Sequence, residues 1–219
     1  MKKKVLLALA AAMAITSVSF ASPLSNYEKG SVAFDLNTSI SSDVEIDANN
    51  FSRSIDAKNR LGAGITYGIG DNLALKYKYS DNKSKDFNLL DSKVNAQLIG
   101  HELNVLYQID PNVSAFVGYT RSTGKINFAG SNLSENQSKS GYHVGIIGQT
   151  RITDDVTAWA SVSAGNRVTG YEIGIGYDVA QNTELNLFYR HTKYKDFNAL
   201  KMDVDFTTKG LGAGVTFRY

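Results

Sequence analysis

Apolar and polar residues alternate along most of the chain, and the clearest stretch begins at Leu61. Between Leu61 and Ile69 the odd-numbered positions are apolar or aromatic, and the even-numbered ones are glycine or threonine. After Gly70-Asp71-Asn72 the pattern resumes, with leucine or tyrosine at every second position from 73 to 79. A period of two marks a strand with one apolar face, and Gly-Asp-Asn favours a tight turn. These residues are therefore predicted to form a β-hairpin.

The same unit recurs three times, with turns near residues 110–112, 153–155 and 180–182. Single alternating strands precede and close the set, at residues 32–37 and 211–219. Four hairpins and two terminal strands predict an all-β, antiparallel up-and-down barrel of ten strands. Since strand boundaries are the weakest feature of such a pattern, eight and twelve strands are the alternatives.

The connections between the hairpins differ in length from the turns within them. Those near residues 46–54, 82–93, 129–139 and 193–204 are longer and polar, and a short one lies near residues 165–167. Alternating short and long connections are typical of barrels that span the bacterial outer membrane, with short turns in the periplasm and long loops outside. The sequence therefore predicts a transmembrane barrel with its loops on the cell surface.

The polar face of the predicted strands holds many glycines and charges of both signs. A soluble barrel of the lipocalin type would turn its apolar face inward, and this polar face would then be the exterior. Small and charged side chains instead suit a narrow lumen, and so much glycine on a soluble exterior would weaken the strands. Tyrosines of the apolar face cluster near strand ends, as in the aromatic belts of membrane barrels. The predicted lumen-lining residues are Lys76, Lys78, Glu102, His143, Arg151, Glu172, Asp178, Arg190 and Arg218.

One ion pair within the lumen follows from the position of a turn. Glu172 and Arg190 are each nine residues from Gln181, the centre of the last predicted hairpin turn. Both lie on the polar face, so they are predicted to face each other on neighbouring strands inside the barrel. We expect this pair, together with Lys78 and Glu102, to narrow the lumen.

The first 21 residues read as a targeting segment. Three lysines precede an apolar run from Val5 to Ile15, and small residues stand one and three positions before a cleavage site after Ala21. These features predict a cleaved secretory signal peptide, residues 1–21, followed by one outer-membrane β-barrel domain, residues 22–219. A membrane helix is the alternative, but the apolar run is too short to span comfortably.

Composition and charge narrow the chemistry further. The formal net charge of +2 becomes −1 once the three signal-peptide lysines are removed from 23 basic and 21 acidic residues, so a nucleic-acid partner is not predicted. The absence of cysteine excludes disulfides, thiolate metal sites and catalytic thiols. His101 and His191 fall on the apolar face near the outer rim, and no His–carboxylate or His–Ser motif indicates an enzyme. No cofactor or metal is predicted.

Carboxylates also alternate along strand-like segments of two predicted loops, at Asp43, Glu45 and Asp47 and at Asp203 and Asp205. The favoured interpretation is that these carboxylates lie in solvent at the outer rim of the barrel, and a calcium site is the alternative.

The closing segment, Gly-Val-Thr-Phe-Arg-Tyr219, together with the signal peptide and the alternating strands, resembles the small outer-membrane barrels of diderm bacteria, the OmpA/OmpX and opacity-type proteins. In those families an aromatic C-terminal residue belongs to the signal read by the barrel-assembly machinery. The resemblance implies that role for Phe217 and Tyr219, and implies periplasmic chaperones as partners during assembly.

The resemblance covers the whole mature chain but is architectural, so it indicates location and fold more than activity. The expected function is a narrow passive porin-like channel or a structural barrel. A surface-interaction or adhesion barrel acting through its loops is the alternative, and an outer-membrane protease or lipid-modifying enzyme is less favoured. Outer-membrane lipids are expected partners, with small solutes or surface ligands as further candidates.

Overall fold

The computed structural model describes residues 26–48, 51–58, 61–89, 92–128, 134–199 and 202–219. The predicted signal peptide and its cleavage after Ala21 lie outside these residues and stay predictions. Within the described ranges no helix is long and apolar enough to cross a membrane.

The chain forms antiparallel strands joined into one sheet. The strands are β1 (Val32–Ala48), β2 (Phe51–Lys58), β3 (Leu61–Gly70), β4 (Leu73–Ser84), β5 (Phe87–Leu89), β6 (Ser92–Asp110), β7 (Val113–Phe128), β8 (Ser134–Thr153), β9 (Val156–Gly165), β10 (Val168–Ala180), β11 (Thr183–Ala199) and β12 (Met202–Arg218).

Ten of these strands close into a ring. β1 pairs with β3 on one side and with β12 on the other, so the sheet has no edge there. The short strands β2 and β5 extend the hairpins beyond the ring, where β2 pairs with β1 and β4, and β5 pairs with β6. The prediction of a ten-stranded up-and-down barrel is therefore confirmed.

The tight turns within the four predicted hairpins lie at one end of the ring, which we call the turn end; the opposite end, where the short connection 166–167 joins β9 to β10, is the hairpin end. At the turn between β3 and β4, Asp71 and Asn72 both adopt positive φ, 54° and 64°. Two consecutive positive-φ residues match the right-handed twist of the flanking strands, and Asp and Asn tolerate that conformation. The other tight turns lie at residues 111–112, 154–155 and 181–182, as predicted.

Where the structure describes them, the predicted long loops are largely strand, which is a correction to the sequence analysis; residues 49–50, 90–91, 129–133 and 200–201 of these loops lie outside the described residues. β1 runs to Ala48 and β2 begins at Phe51, and β11 runs to Ala199 with β12 beginning at Met202. Both pairs are held by antiparallel pairing, which is continuous between β1 and β2 and shifts register between Tyr194 and Phe197 in β11. The hairpin end is consequently a set of extended β-hairpins that project beyond the rest of the ring.

The apolar face of the ring points outward. Large apolar side chains such as Val105, Val144 and Ile173 are exposed, whereas the polar residues between them are buried. A continuous exposed apolar band around a closed barrel is the surface of a membrane-spanning protein, because a soluble protein would bury it. The predicted orientation of the two faces is confirmed.

A bulge in β1 changes which of its side chains face inward. Between Ser39 and Ser41 the pairing with β12 shifts by one residue. Odd-numbered Asp35 is buried before the bulge, and even-numbered Val44 and Ile46 are buried beyond it. Because an extra residue reverses the in–out alternation, apolar side chains enter the interior at the hairpin end.

Candidate functional site: the barrel interior

The predicted pair of Glu172 and Arg190 forms inside the barrel. The two residues are direct partners across β10 and β11. Arg190 donates from Nε and Nη2 to Glu172 Oε2 at 2.8 and 2.7 Å. The side chains are 4% and 13% exposed, so their attraction is screened far less than that of a surface pair. The pair expected from the turn position is confirmed.

Two further ion pairs lie in the same level of the interior. Lys78 Nζ is 3.3 Å from Glu102 Oε2, across β4 and β6. Lys76 Nζ is 3.6 Å from Asp35 Oδ2, a carboxylate that was not among the predicted lumen residues. The sequence pattern could have identified Asp35 as a lumen residue, because it lies on the polar side of the first predicted strand. We call these six residues the ion-pair layer, and it holds three charges of each sign: Asp35, Lys76, Lys78, Glu102, Glu172 and Arg190.

Glycines create the space in which side chains of non-adjacent strands meet. Gly118 on β7 lies between Asn104 on β6 and His143 on β8. His143 Nε2 and Asn104 Oδ1 are 2.8 Å apart and hydrogen-bonded above it. A Cβ at position 118 would lie 2.0 Å from Asn104 Oδ1, and one at Gly64 would lie 3.2 Å from Asp35 Oδ2. Glycine on the polar face therefore accommodates the side chains that fill the lumen.

Replacing Gly118 by alanine is expected to destabilise the barrel by about 1–3 kcal/mol, because the new methyl group would displace the Asn104–His143 hydrogen bond. The measurement is the unfolding midpoint in urea. Gly148→Ala is the matched control, since it adds the same methyl group to the neighbouring strand where no atom lies within 4 Å. Equal midpoints for the two variants would contradict this account of the lumen glycines.

A second charged cluster lies at the turn end. Arg218 donates to Asp178 at 3.1 Å and to Glu184 at 2.6 Å. Glu184 is almost completely buried and was not predicted, although it lies on the polar face of β11. Arg151 approaches Asp178 at 3.8 Å, but its side chain is 63% exposed. The structure thus places Arg151 at the rim, unlike the other predicted lumen residues.

Apolar side chains close the interior below the ion-pair layer. The segment before β1 folds back under the ring, held by backbone hydrogen bonds between Gly70 N and Tyr27 O and between Gly30 N and Gly68 O. Tyr27 enters the lumen and donates to Ser114 Oγ at 3.0 Å. Burial raises the pKa of the Tyr27 phenol above its usual value. We call the resulting cluster the turn-end plug: Tyr27, Ala33, Ala74, Leu106, Phe116 and Ile147.

A larger apolar cluster closes the other end. Its members come from β1, β2 and β10–β12 on one side of the ring and from β6 on the far side. Phe197 and Phe206 pack edge to face with ring centroids 5.3 Å apart. We call this cluster the hairpin-end core, and sequence analysis missed it: Val44, Ile46, Ile55, Ala96, Leu98, Val168, Tyr194, Phe197, Val204 and Phe206.

Two small cavities lie between the plug and the core. One cavity of about 30 Å³ is bordered by Glu102, His143, Glu172 and Arg190. Another, of about 20 Å³, lies beside Arg190 near Phe188. Cavities of this size hold a water molecule or two. The interior described by these residues is filled by side chains at three successive levels.

Two of the five carboxylates that alternate along the predicted loops, Glu45 and Asp205, are paired with lysines. Lys209 donates to Glu45 at 2.8 Å, and this hydrogen bond holds the pKa of the Glu45 carboxyl below its usual value. Lys193 Nζ lies 2.9 Å from Asp205. Within the described ranges no three His, Asp or Glu side chains form a group that could hold a metal ion.

The remaining predicted residues lie on the outer surface or at the seam. His101 is exposed and lies 2.8 Å from Tyr77 Oη, and His191 stacks on Tyr171 with centroids 5.2 Å apart. Tyr219 exchanges backbone hydrogen bonds with Val32, both at 2.8 Å, where the ring closes. The C-terminus therefore contributes directly to closure, and its role as an assembly signal stays a prediction.

Comparison with known proteins places this architecture in a family. The sequence matches the family described as "Outer membrane protein beta-barrel domain" over residues 6–217. A search of curated protein sequences found no significant match.

Similar solved structures include the outer membrane protease OmpT from Escherichia coli, with 11% identity and a TM-score of 0.54 over 86% of this chain and 97% of that one. The translocator domain of the autotransporter NalP from Neisseria meningitidis has 9% identity and a TM-score of 0.51 over 100% and 95%. The attachment invasion locus protein Ail of Yersinia pestis has 13% identity and a TM-score of 0.46 over 86% and 99%. At such identities the likeness concerns the fold alone. Since the family match spans nearly the whole chain, the protein belongs to the outer membrane protein beta-barrel family and is a barrel of the bacterial outer membrane.

Proposed function

We propose that this protein is a closed structural barrel that presents its hairpin end at the cell surface and acts through that end, not as a channel. The observation that carries the proposal is the filling of the interior at three levels: the turn-end plug, the ion-pair layer and the hairpin-end core. A passing ion would have to displace all three. Opening the ion-pair layer would also separate buried charges from their partners, which is strongly unfavourable.

The hairpin end supports an interaction role because its shape is held by packing. Its extended strands are joined by backbone pairing and by the hairpin-end core, so the described part of the surface above the membrane is preorganised. Preorganised surfaces bind with a smaller entropy cost than loops that must first become ordered. Short turns lie in the periplasm in barrels of this class, which points the hairpin end outward.

The proposal also assigns no catalytic role to the interior. His143 is hydrogen-bonded to the amide of Asn104, and a general base needs access to a proton on a substrate. The turn-end plug lies on one side of His143 and the hairpin-end core on the other, so both clusters separate the imidazole from the ends of the barrel. The likeness to OmpT is one of fold and carries no proteolytic residues to this chain.

Reconstitution in planar bilayers tests the proposal. The wild-type protein is expected to insert without discrete conductance steps, because the lumen is filled. The Phe197→Ala/Phe206→Ala variant opens only the hairpin end, so it is expected to stay silent as well while the ion-pair layer and the turn-end plug remain. Steady wild-type conductance, with ion preference shifted in opposite directions by Glu172→Gln and Arg190→Gln, would overturn the closed barrel in favour of a narrow channel.

A further inference from the structure

The lipid-facing wall of the barrel carries a groove. It crosses β6 to β9 and has a volume of about 650 Å³. Ala115 and Ala164 form part of its lining, between the larger side chains of Tyr107, Val117 and Val162. Where small side chains lie beside large ones, the outer surface of the barrel is indented. Because this wall faces hydrocarbon, the groove suits an acyl chain.

Aromatic side chains lie on the hairpin-end side of the groove. Tyr119 follows Ala115 and Val117 on the outward face of β7, and its ring lies 5.5 Å from that of Tyr142 on β8. Tyr119 donates to Ser140 Oγ at 2.7 Å, and Tyr142 is 68% exposed. Tyrosines with an apolar ring and a polar hydroxyl mark the depth at which hydrocarbon gives way to headgroups.

Two basic side chains follow Tyr119 on the outward face of β7. Arg121 is exposed and lies directly opposite His101 on β6, and Lys125 comes four residues later on the same face. His101 is held by Tyr77, and its ring packs beside that of Tyr79 with centroids 5.3 Å apart. At about 3.3 Å per residue, Arg121 lies roughly 20 Å along the strand from Ala115.

These cations differ from the lysines on the other side of the barrel. Lys193 and Lys209 are paired with Asp205 and Glu45. None of the ion pairs between described side chains involves Arg121 or Lys125. Asp81 lies near them on β4 but accepts a hydrogen bond from Gln97 at 2.7 Å. Within the part of the chain whose side chains are described, the charge of these two basic residues is not neutralised by an ion pair.

We propose that this wall binds one phosphorylated glycolipid of the outer leaflet. An acyl chain occupies the groove, the tyrosines lie at the interface, and a phosphate group contacts Arg121 and Lys125. Guanidinium and ammonium groups form charge-assisted hydrogen bonds with phosphate, and basic residues near anionic headgroups strengthen lipid binding. The glycolipid site depends on one part of the proposed function, the orientation that places the hairpin end outside the cell.

Native mass spectrometry of the full barrel, released from detergent micelles, tests the site. The probes are bis-phosphorylated lipid A and the same lipid without its phosphates. We expect one phosphorylated lipid per barrel, with affinity lowered about thirtyfold in Arg121→Gln/Lys125→Gln, from the contribution of two basic residues. Ala115→Leu, which fills the groove, should weaken binding of both probes.

Two matched variants control for general effects. Lys195→Gln removes one basic charge from β11, and Ala213→Leu enlarges an outward alanine on β12, both away from the groove; neither should change lipid binding. Equal retention of the two probes by wild-type protein, or equal loss in the controls and the site variants, would overturn the site. A dimer that forms without lipid and dissociates in Ala115→Leu would instead assign the groove to a second copy of the chain.

Orientation is tested separately, so that its failure is distinguishable. The chain has no cysteine, and single cysteines at exposed Asn136 and Gln181 report the hairpin end and the turn end. An impermeant thiol reagent should label position 136 in intact cells and position 181 only after lysis. The reverse pattern would place the basic residues at the inner leaflet and overturn the glycolipid proposal. Conductance by the wild-type barrel would overturn the proposal that the lumen is closed, and would leave the glycolipid proposal standing.

Discussion

The Glu172→Gln variant is expected to lose about 3–5 kcal/mol of stability, because it leaves the Arg190 guanidinium buried without its carboxylate. Arg190 shares the ion-pair layer with Lys76 and Lys78, so removing one negative charge leaves three cations facing two carboxylates. Reorganisation of Lys78 and Glu102, 3.3 Å apart, can offset only part of this imbalance. Arg190→Gln should show a similar loss for the opposite reason.

The double variant Glu172→Gln/Arg190→Gln should recover part of that loss, since two neutral amides restore the balance of charge. The measurement is a double-mutant cycle on the urea midpoint of the barrel in detergent, supported by the temperature at which its heat-modifiable migration is lost. Lys85 and Asp56, an exposed pair at 2.8 Å, form the matched control, and neutralising Lys85 should leave the midpoint unchanged. Additive losses from Glu172 and Arg190 would show that the pair is not energetically coupled.

This pair was predictable from sequence because the geometry of a hairpin is simple. Once residues 180–182 are identified as a tight turn, residues equally distant from it face each other on the two strands. Whether a position is odd or even then gives the face of the sheet on which its side chain lies. The same reasoning accounts for the ten-stranded ring and the outward apolar face. It also covered Asp35 and Glu184, which lie on the polar face of their strands but were not selected as lumen residues.

The sequence analysis did not predict the hairpin-end core because local irregularities interrupt the alternation of inward and outward positions. The bulge between Ser39 and Ser41 reverses the alternation in β1, so Val44 and Ile46 face inward although the segment reads as a polar loop. The sequence does contain an indication of a strand here, since Val44 and Ile46 alternate with Asp43, Glu45 and Asp47. An alternating segment with charged residues on one face is as consistent with a strand above the membrane as with a solvated loop.

The turn-end plug lies beyond this kind of reasoning for a different reason. Tyr27 belongs to a short segment between polar residues with no alternation, and its burial depends on the chain folding back beneath the closed ring. Its partner, Ser114, is 87 residues away in sequence. Contacts of this kind follow from the closed barrel and not from any local pattern, so the filling of the lumen becomes visible only in three dimensions.

Truncation of Leu98 should loosen the hairpin end while leaving the membrane-embedded ring intact. Leu98 is 1% exposed and packs in the hairpin-end core from the β6 side of the ring. Leu98→Ala removes buried methyl groups and leaves a cavity, with an expected cost of about 2–5 kcal/mol. Since strands within the ring remain paired around the full circle, we expect the loss to appear as local opening of the extended hairpins.

Hydrogen exchange distinguishes that local opening from global unfolding. In Leu98→Ala, amide protection should fall in the hairpin-end halves of β1, β6, β11 and β12 and stay unchanged near the turn end. Leu211→Ala is the matched control, because it truncates the same side chain on the lipid-facing surface, where leucine is 47% exposed. If both variants lose protection uniformly around the barrel, the hairpin-end core does not fold as a unit separate from the ring. A loss confined to the hairpin end, without conductance, would show that this core opens on its own while the ion-pair layer and the turn-end plug keep the lumen closed.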